Sequence, residues 1–299
     1  NIIIQRGAMA TLQIYEQGDG LILDGLTVRQ NGYSAAPVGM DSIDLSGLSA
    51  GVPATGVVIR NCLLDQNLGG TNNNALEVSY RDGRTVQDCT FRRIEGNAVE
   101  FWNTVHNGVV ERCRFEDIGG SAWWLSGDAA GSYHTNNTIR NCVMNSTGNP
   151  RNDRGSAGQG SIFARIQSAS NTKIYNNTYI GNAQQGLIIS PSPVAAATNT
   201  ITIKNNLFYN THANGDSARI QTTGSVLGGD PAWTFVNALT GAKNEIVSDY
   251  NRFFSNRQAA QSGIKMGNIN GVATSGLAAW QAQSGAPDSH SSEGDPSIT

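Results

Sequence analysis

An all-β solenoid, a single-stranded right-handed parallel β-helix, is the fold this sequence predicts. Three observations carry it. A short phrase recurs as VVIRNC at 57–62, TVQDC at 85–89, VVERC at 109–113, NTIRNC at 137–142, TKIYNN at 172–177 and ITIKNN at 201–206. A second strand-like phrase follows each copy. The composition also suits turns and short strands rather than helices: 35 of 299 residues are Gly, 38% are hydrophobic and only 14% are charged.

The first phrase aligns on its last residue, giving Cys62, Cys89, Cys113, Cys142, Asn177 and Asn206 at intervals of 24 to 35 residues. An apolar residue precedes each by three (Ile59, Val86, Val110, Ile139, Ile174, Ile203). A large residue follows each by two (Leu64, Phe91, Phe115, Met144, Tyr179, Phe208). LILDGLTVRQN at 21–31 is a degenerate earlier copy and IVSDYNRFF at 246–254 a later one. A unit this short cannot bury a core alone, and stacking units creates a continuous one. No helical period of 3.6 competes, and the uneven intervals fit loops that bulge outward from strands held in register. Equivalent residues of neighbouring coils then lie about 4.8 Å apart. The aligned cysteines become a stack of buried thiols, and the asparagines that replace them can hydrogen-bond along the ladder.

The second phrase reads SIDLS (42–46), ALEVS (75–79), AVEFW (98–102), AWWLS (122–126), SIFAR (161–165), GLIIS (186–190) and ARIQ (218–221), with TLQIY (11–15) as a first copy. Alternate side chains of a strand face opposite sides. Ile43 and Leu45, Leu76 and Val78, Val99 and Phe101, Trp123 and Leu125, Ile162 and Ala164, and Leu187 and Ile189 are expected inside. The outward column is then Asp44, Glu77, Glu100, Trp124, Phe163 and Ile188. The column beside it is Tyr15, Ser46, Ser79, Trp102, Ser126, Arg165 and Ser190.

Three carboxylates in register on successive coils are the most informative pattern in the chain. Like charges opposite one another on paired strands destabilise a sheet and resist ionising together, so a use for them is expected. One use is glycoside hydrolysis, with Glu100 or Glu77 as general acid and Asp44 or the other Glu as base or nucleophile. The other is Ca²⁺ binding in a polysaccharide lyase, where Arg165 or Lys173 would abstract the proton. A solvated row paired with nearby Arg81, Arg84, Arg92 or Arg93 is the structural alternative. The aromatic side chains alongside favour a sugar groove. Trp102, Trp124 and Tyr80 are candidate stacking platforms, with Arg165, Asp128 and His134 as further substrate-binding candidates. His106 and His134 are candidate acid–base groups in loops, and RNDRG at 151–155 lies in the longest inter-repeat loop. Apart from Ca²⁺ under the lyase reading, no cofactor is expected. Zinc in particular lacks any CxxC or paired Cys/His spacing. The N-x-S/T sequences at Asn136, Asn145 and Asn176 fit Asn-rich turns and are not read as glycosylation sites.

Net charge is −3 and no apolar run approaches the roughly 18–20 residues of a membrane helix, so neither nucleic acid nor a membrane is an expected partner. The whole of 1–299 reads as one domain. It is expected to be N-terminally incomplete, because the chain opens inside the strand-like run Ile2-Ile3-Ile4. Residues 246–299 read as closing coils and tail. Here SDYN, then LAAWQAQSGAPDSHS, then DP resembles the end of secreted right-handed parallel β-helix proteins, many of them carbohydrate-active. That resemblance implies a secreted or cell-surface setting and a polysaccharide or oligosaccharide partner. It implies a structural role for Trp280 and His290. It selects no one enzyme family, and a non-catalytic glycan-binding or tailspike-like module is the third reading.

Overall fold

The computed structural model describes residues 2–6, 12–13, 20–30, 42–45, 55–65, 74–126, 133–146, 162–167, 169–181, 185–189, 200–210, 234–238, 246–255, 265–269, 272–282 and 288–294. Among them, three sheets run the length of a right-handed parallel β-helix, the hand that parallel crossovers take. The coils feed the three sheets in the same order, and the twelve-stranded sheet also takes the short strands His134–Thr135 and Ala169–Ser170 and the antiparallel Val272–Ser275. The coil beginning at Val58 shows the order: Val58–Arg60 joins an eight-stranded sheet, Leu63–Asp65 a ten-stranded one and Leu76–Asp82 a twelve-stranded one. The next coil repeats it with Thr85–Gln87, Thr90–Ile94 and Val99–His106.

The recurring phrase supplies the first sheet and the corner after it. Ile59, Val86, Val110, Ile139, Ile174 and Ile203 pair in register and are all fully buried. So do the large residues from Leu64 to Phe208, with Phe91 on Phe115 and Phe208 on Phe253 stacked at 5.3 and 5.4 Å. The residue before each stack position turns the chain with positive φ: Asn61, Asp88, Arg112, Asn141, Asn176, Asn205 and Tyr250, all between 51° and 57°. Asn and Asp tolerate this left-handed conformation, which is why the phrase so often carries one of them there. The corner before the same sheet repeats the device with Gly20, Gly56, Gly83, Asn107, Asn136 and Asn171.

The interior stack confirms the Cys-to-Asn reading. All four cysteines are buried free thiols. The asparagines continue past Asn206 to Asn251. Asn177 Nδ2 donates to Asn206 Oδ1 at 3.0 Å, and Asn206 Nδ2 donates to Asn251 Oδ1 at 3.0 Å. Asn251 Nδ2 donates to Asp288 Oδ1 at 2.7 Å. Asp288 is the hub of the C-terminal closure. Its carboxylate also accepts from Ser248 Oγ at 2.7 Å, Trp280 Nε1 at 2.7 Å and Ser291 Oγ at 2.6 Å. Trp280 sits buried on the helix Leu277–Gln281, and the exposed His290 stacks on Tyr250.

Two alignments need correction. Trp124 pairs with Arg165, two residues from the expected partner Phe163. A two-residue shift keeps every side chain on its face, so alternation could not detect it. Phe163, expected outward, is a core residue: it aligns beyond Ala75, Ala98 and Ala122 at the corner where the strand begins, all four are fully buried, and its ring lies 6.2 Å from Tyr179. The strand paired beyond Gln185–Ile189 is Thr234–Ala238. ARIQ at 218–221 lies outside the described residues.

Candidate active site

The twelve-stranded sheet places the carboxylates as the alternation requires. Asp44 pairs with Glu77 and Glu77 with Glu100, so the three occupy one column on successive coils. Their Cα atoms step by about 4.8 Å, which puts Asp44 and Glu100 about 10 Å apart along the axis. The inward neighbours Ile43, Leu45, Leu76, Val78, Val99 and Phe101 are buried at 2% exposure or less and anchor the column from behind. The acids do not form an open row. Glu77 is half-buried, while Asp44 and Glu100 are only 9% and 3% exposed.

A chain of amides orients Glu77. Asn74 Nδ2 donates to Glu77 Oε2 at 3.2 Å and Ser79 Oγ to Oε1 at 3.2 Å. Asn97 Nδ2 donates to Asn74 Oδ1 at 2.9 Å, and Asn97 Oδ1 accepts the Ser121 amide at 2.9 Å. Strand alternation alone does not single out these asparagines. Their signal was present: NALEV at 74–78 returns as NAVEF at 97–101, with Asn three residues before each Glu.

Trp124 follows Glu100 in the column and Arg165 follows Trp124. The Arg165 guanidinium lies 4.5 Å over the Trp124 ring, and Trp124 Nε1 donates to Gln167 Oε1 at 3.0 Å. One face of this indole therefore carries an arginine, a cation–π contact that holds the two side chains as a unit. Trp102 is half-buried in the adjacent column, between Ser79 and Ser126. Tyr80 lies in the strand Leu76–Asp82, beside the register shift between Trp102 and Val105, where Asn103 has φ of 59°. Asp128, Tyr15, Ser46, Ser190 and the 151–155 stretch lie outside the described residues.

The structure separates the two histidines. His134 is fully buried and not in an open loop. Its Nδ1 accepts the Val105 amide at 3.3 Å and its Nε2 donates to Ser126 O at 3.1 Å, so main chain uses both nitrogens. Burial pushes its pKa down to about 4, overriding the hydrogen bonds to Ser126 and Val105. This is a neutral positioning residue that ties the turn after one coil to the strand of the previous one. His106 also lies in a strand, at the end of Val99–His106, and not in a loop; it is half-buried, pairs in register with Asp82, and its Nδ1 lies 2.7 Å from Thr135 Oγ1.

Two of the four arginines offered as partners for the acid column, Arg92 and Arg93, bind a different carboxylate. Arg92 and Arg93 join Arg29 on the Asp65 carboxylate of the ten-stranded sheet, at 2.8, 2.5 and 3.1 Å. Burial alone would raise the Asp65 pKa; hydrogen bonds from Arg92 and Arg93 outweigh it and hold the carboxyl below its ordinary value. Among the described residues, no group of three or more His, Cys, Asp or Glu is arranged to hold a metal ion.

The model of the right-handed β-helix region family matches residues 10–275, and the chain belongs to that family. No curated protein sequence matches it. Among solved structures, it is similar to the enzymatically active domain of tailspike protein 2 from bacteriophage CBA120. The TM-score is 0.60 and the identity 14%, over 90% of this chain and 37% of that one. It is also similar to an alginate lyase from a Paenibacillus species, with a TM-score of 0.53 and 11% identity, over 89% of this chain and 83% of that one. At these identities the likeness concerns the fold. Among the described residues, no helix is long and apolar enough to cross a membrane.

Proposed function

We propose that this chain is a polysaccharide-cleaving enzyme, a glycoside hydrolase whose chemistry lies on the Asp44–Glu77–Glu100 column. The single observation behind this reading is the register: three acids on three successive coils, continued by the Trp124–Arg165 unit. Such a row is unfavourable for a sheet by itself and suits a substrate that runs along the helix axis. One structural neighbour is named for lysis of alginate and the other as an enzymatically active tailspike domain, which supports a saccharide substrate.

The roles follow from the surroundings. Glu77 accepts hydrogen bonds from Asn74 and Ser79, an arrangement suited to an ionised nucleophile or base. Glu100, buried on the adjacent coil, acts as the acid that protonates the departing glycosidic oxygen. Neighbouring coils give a step close to the roughly 5 Å carboxyl separation of retaining hydrolases. Asp44 extends the row by one coil, and Arg165, braced on Trp124, contacts hydroxyls or a carboxylate of the sugar beyond Glu100.

The test is a screen of acidic and neutral polysaccharides with wild type, Glu100→Gln and Glu77→Gln, reading reducing ends and ultraviolet absorbance together. Expected are reducing ends without new absorbance, and a loss of at least about a hundredfold in each variant. An unsaturated, absorbing product would replace hydrolysis with lysis. Wild-type rates in both variants would remove the chemistry from the column. Saccharide binding without any product would make this a binding module.

A further inference from the structure

We infer that the chain carries a second saccharide-binding site, remote from the carboxylate column, at the corner where the eight-stranded sheet passes into the ten-stranded one. A shallow trough of about 520 Å³ lies there across three coils. Asn176, Asn205 and Tyr250 form one side, and Thr178, Leu207 and Arg252 the other. Two coil steps span about 10 Å, enough for two pyranose rings laid along the axis.

The lining has the chemistry of a sugar. Asn176 and Asn205 are exposed, and no hydrogen bond occupies either carboxamide among the described residues. Each carboxamide offers donors and an acceptor, matching hydroxyls that do both. Tyr250 supplies the apolar face that the C–H side of a sugar ring needs. It is 53% exposed, and it occupies the left-handed corner at φ 57° where the preceding coils place Asn61, Asp88, Arg112, Asn141, Asn176 and Asn205. An aromatic residue there opposes backbone preference. The ring is also held in place. It stacks on His290 at 4.8 Å and 8°, and His290 donates from its amide and from Nδ1 to the two Asp249 carboxylate oxygens, each at 2.7 Å. A rigid, exposed ring beside two uncommitted amides is a preorganised platform, which lowers the ordering cost of binding.

The inference stands apart from the catalytic reading and is tested separately. The full chain carrying Glu100→Gln is titrated by NMR with cellobiose, maltose and digalacturonic acid, so that two neutral linkages and one anionic disaccharide are covered. At least one probe is expected to bind. Tyr250→Asn restores the residue type that earlier coils use at this corner, so relief of the left-handed strain offsets the lost stack on His290 and the melting temperature should change little. It should nevertheless weaken binding at least about threefold, the lower end of an aromatic contact. Asn205→Ala should weaken the same probe. Silence from all three probes, or unchanged affinity in both variants, overturns the proposal.

Discussion

Replacing Asn206 tests the interior ladder, because the structure predicts different costs for two substitutions at one position. The Asn206 side chain makes four hydrogen bonds and is 2% exposed. Its Oδ1 accepts from Asn177 N and Nδ2, both at 3.0 Å; its Nδ2 donates to Ile174 O at 2.9 Å and Asn251 Oδ1 at 3.0 Å. Not all four partners are stranded when it is cut to Ala. Asn177 Nδ2 keeps Ile139 O at 3.2 Å, and Asn251 Oδ1 keeps the Asn206 amide at 2.9 Å. The Asn177 main-chain N–H loses its acceptor and Ile174 O loses one donor. One stranded buried donor, one weakened acceptor and a small void together cost about 2–4 kcal/mol. Asn206→Cys should cost about 1 kcal/mol, since a thiol in the same stack already accepts a corner amide: Cys113 N donates to Cys142 Sγ at 3.4 Å. Equilibrium unfolding in guanidinium, followed by tryptophan fluorescence, measures both. A cost below about 1 kcal/mol for the Ala variant, or equal costs for the two, would refute the reasoning.

The remaining predictions concern charge and close approach. Asp65→Ala should destabilise by about 2 kcal/mol, less than a fully buried pair because the three arginines are about 40% exposed. The depressed carboxyl pKa gives wild type a stabilisation that is full above the ordinary value of 3.8 and lost as pH falls through the lower folded value. The stability difference between wild type and this variant should therefore shrink only in strong acid. His134 has the same sign in a higher window. Its folded pKa, about 4, lies below the ordinary 6.5, so the unfolded chain takes up the proton first. Stability should fall as pH drops from 6.5 towards 4, by at most roughly 3 kcal/mol, and a His134→Gln titration should lack that slope. Gly119→Ala should unfold at clearly lower denaturant, because a Cβ there would collide with Glu95 O of the neighbouring coil's backbone.

The coil, the buried stack and the carboxylate column were legible in the sequence because each is a periodic property. Inward residues repeat in every coil, and stacking converts repetition in sequence into adjacency in space. NALEV and NAVEF place Glu77 against Glu100 from their spelling alone. The Asn-to-Cys interchange was legible for the same reason: both residue types satisfy the same corner amide.

What only the tertiary structure decided lies where periodicity carries no information. A two-residue slip preserves the face of every side chain, so the partner of Trp124 across the long 127–161 stretch could be read as Phe163 when it is Arg165. Burial of Asp44 and Glu100, the enclosure of His134, and the gathering of Arg29, Arg92 and Arg93 on Asp65 depend on three-dimensional surroundings. Alternation assigns a face to a side chain and says nothing of what covers that face. The C-terminal closure shows the same division. Its Trp, Asp and His were visible as letters, but Asp288 as a shared acceptor for Ser248, Asn251, Trp280 and Ser291 exists only once the last coil closes over the ladder. The sequence determines which residues repeat. The packing of one coil on the next determines which of them meet.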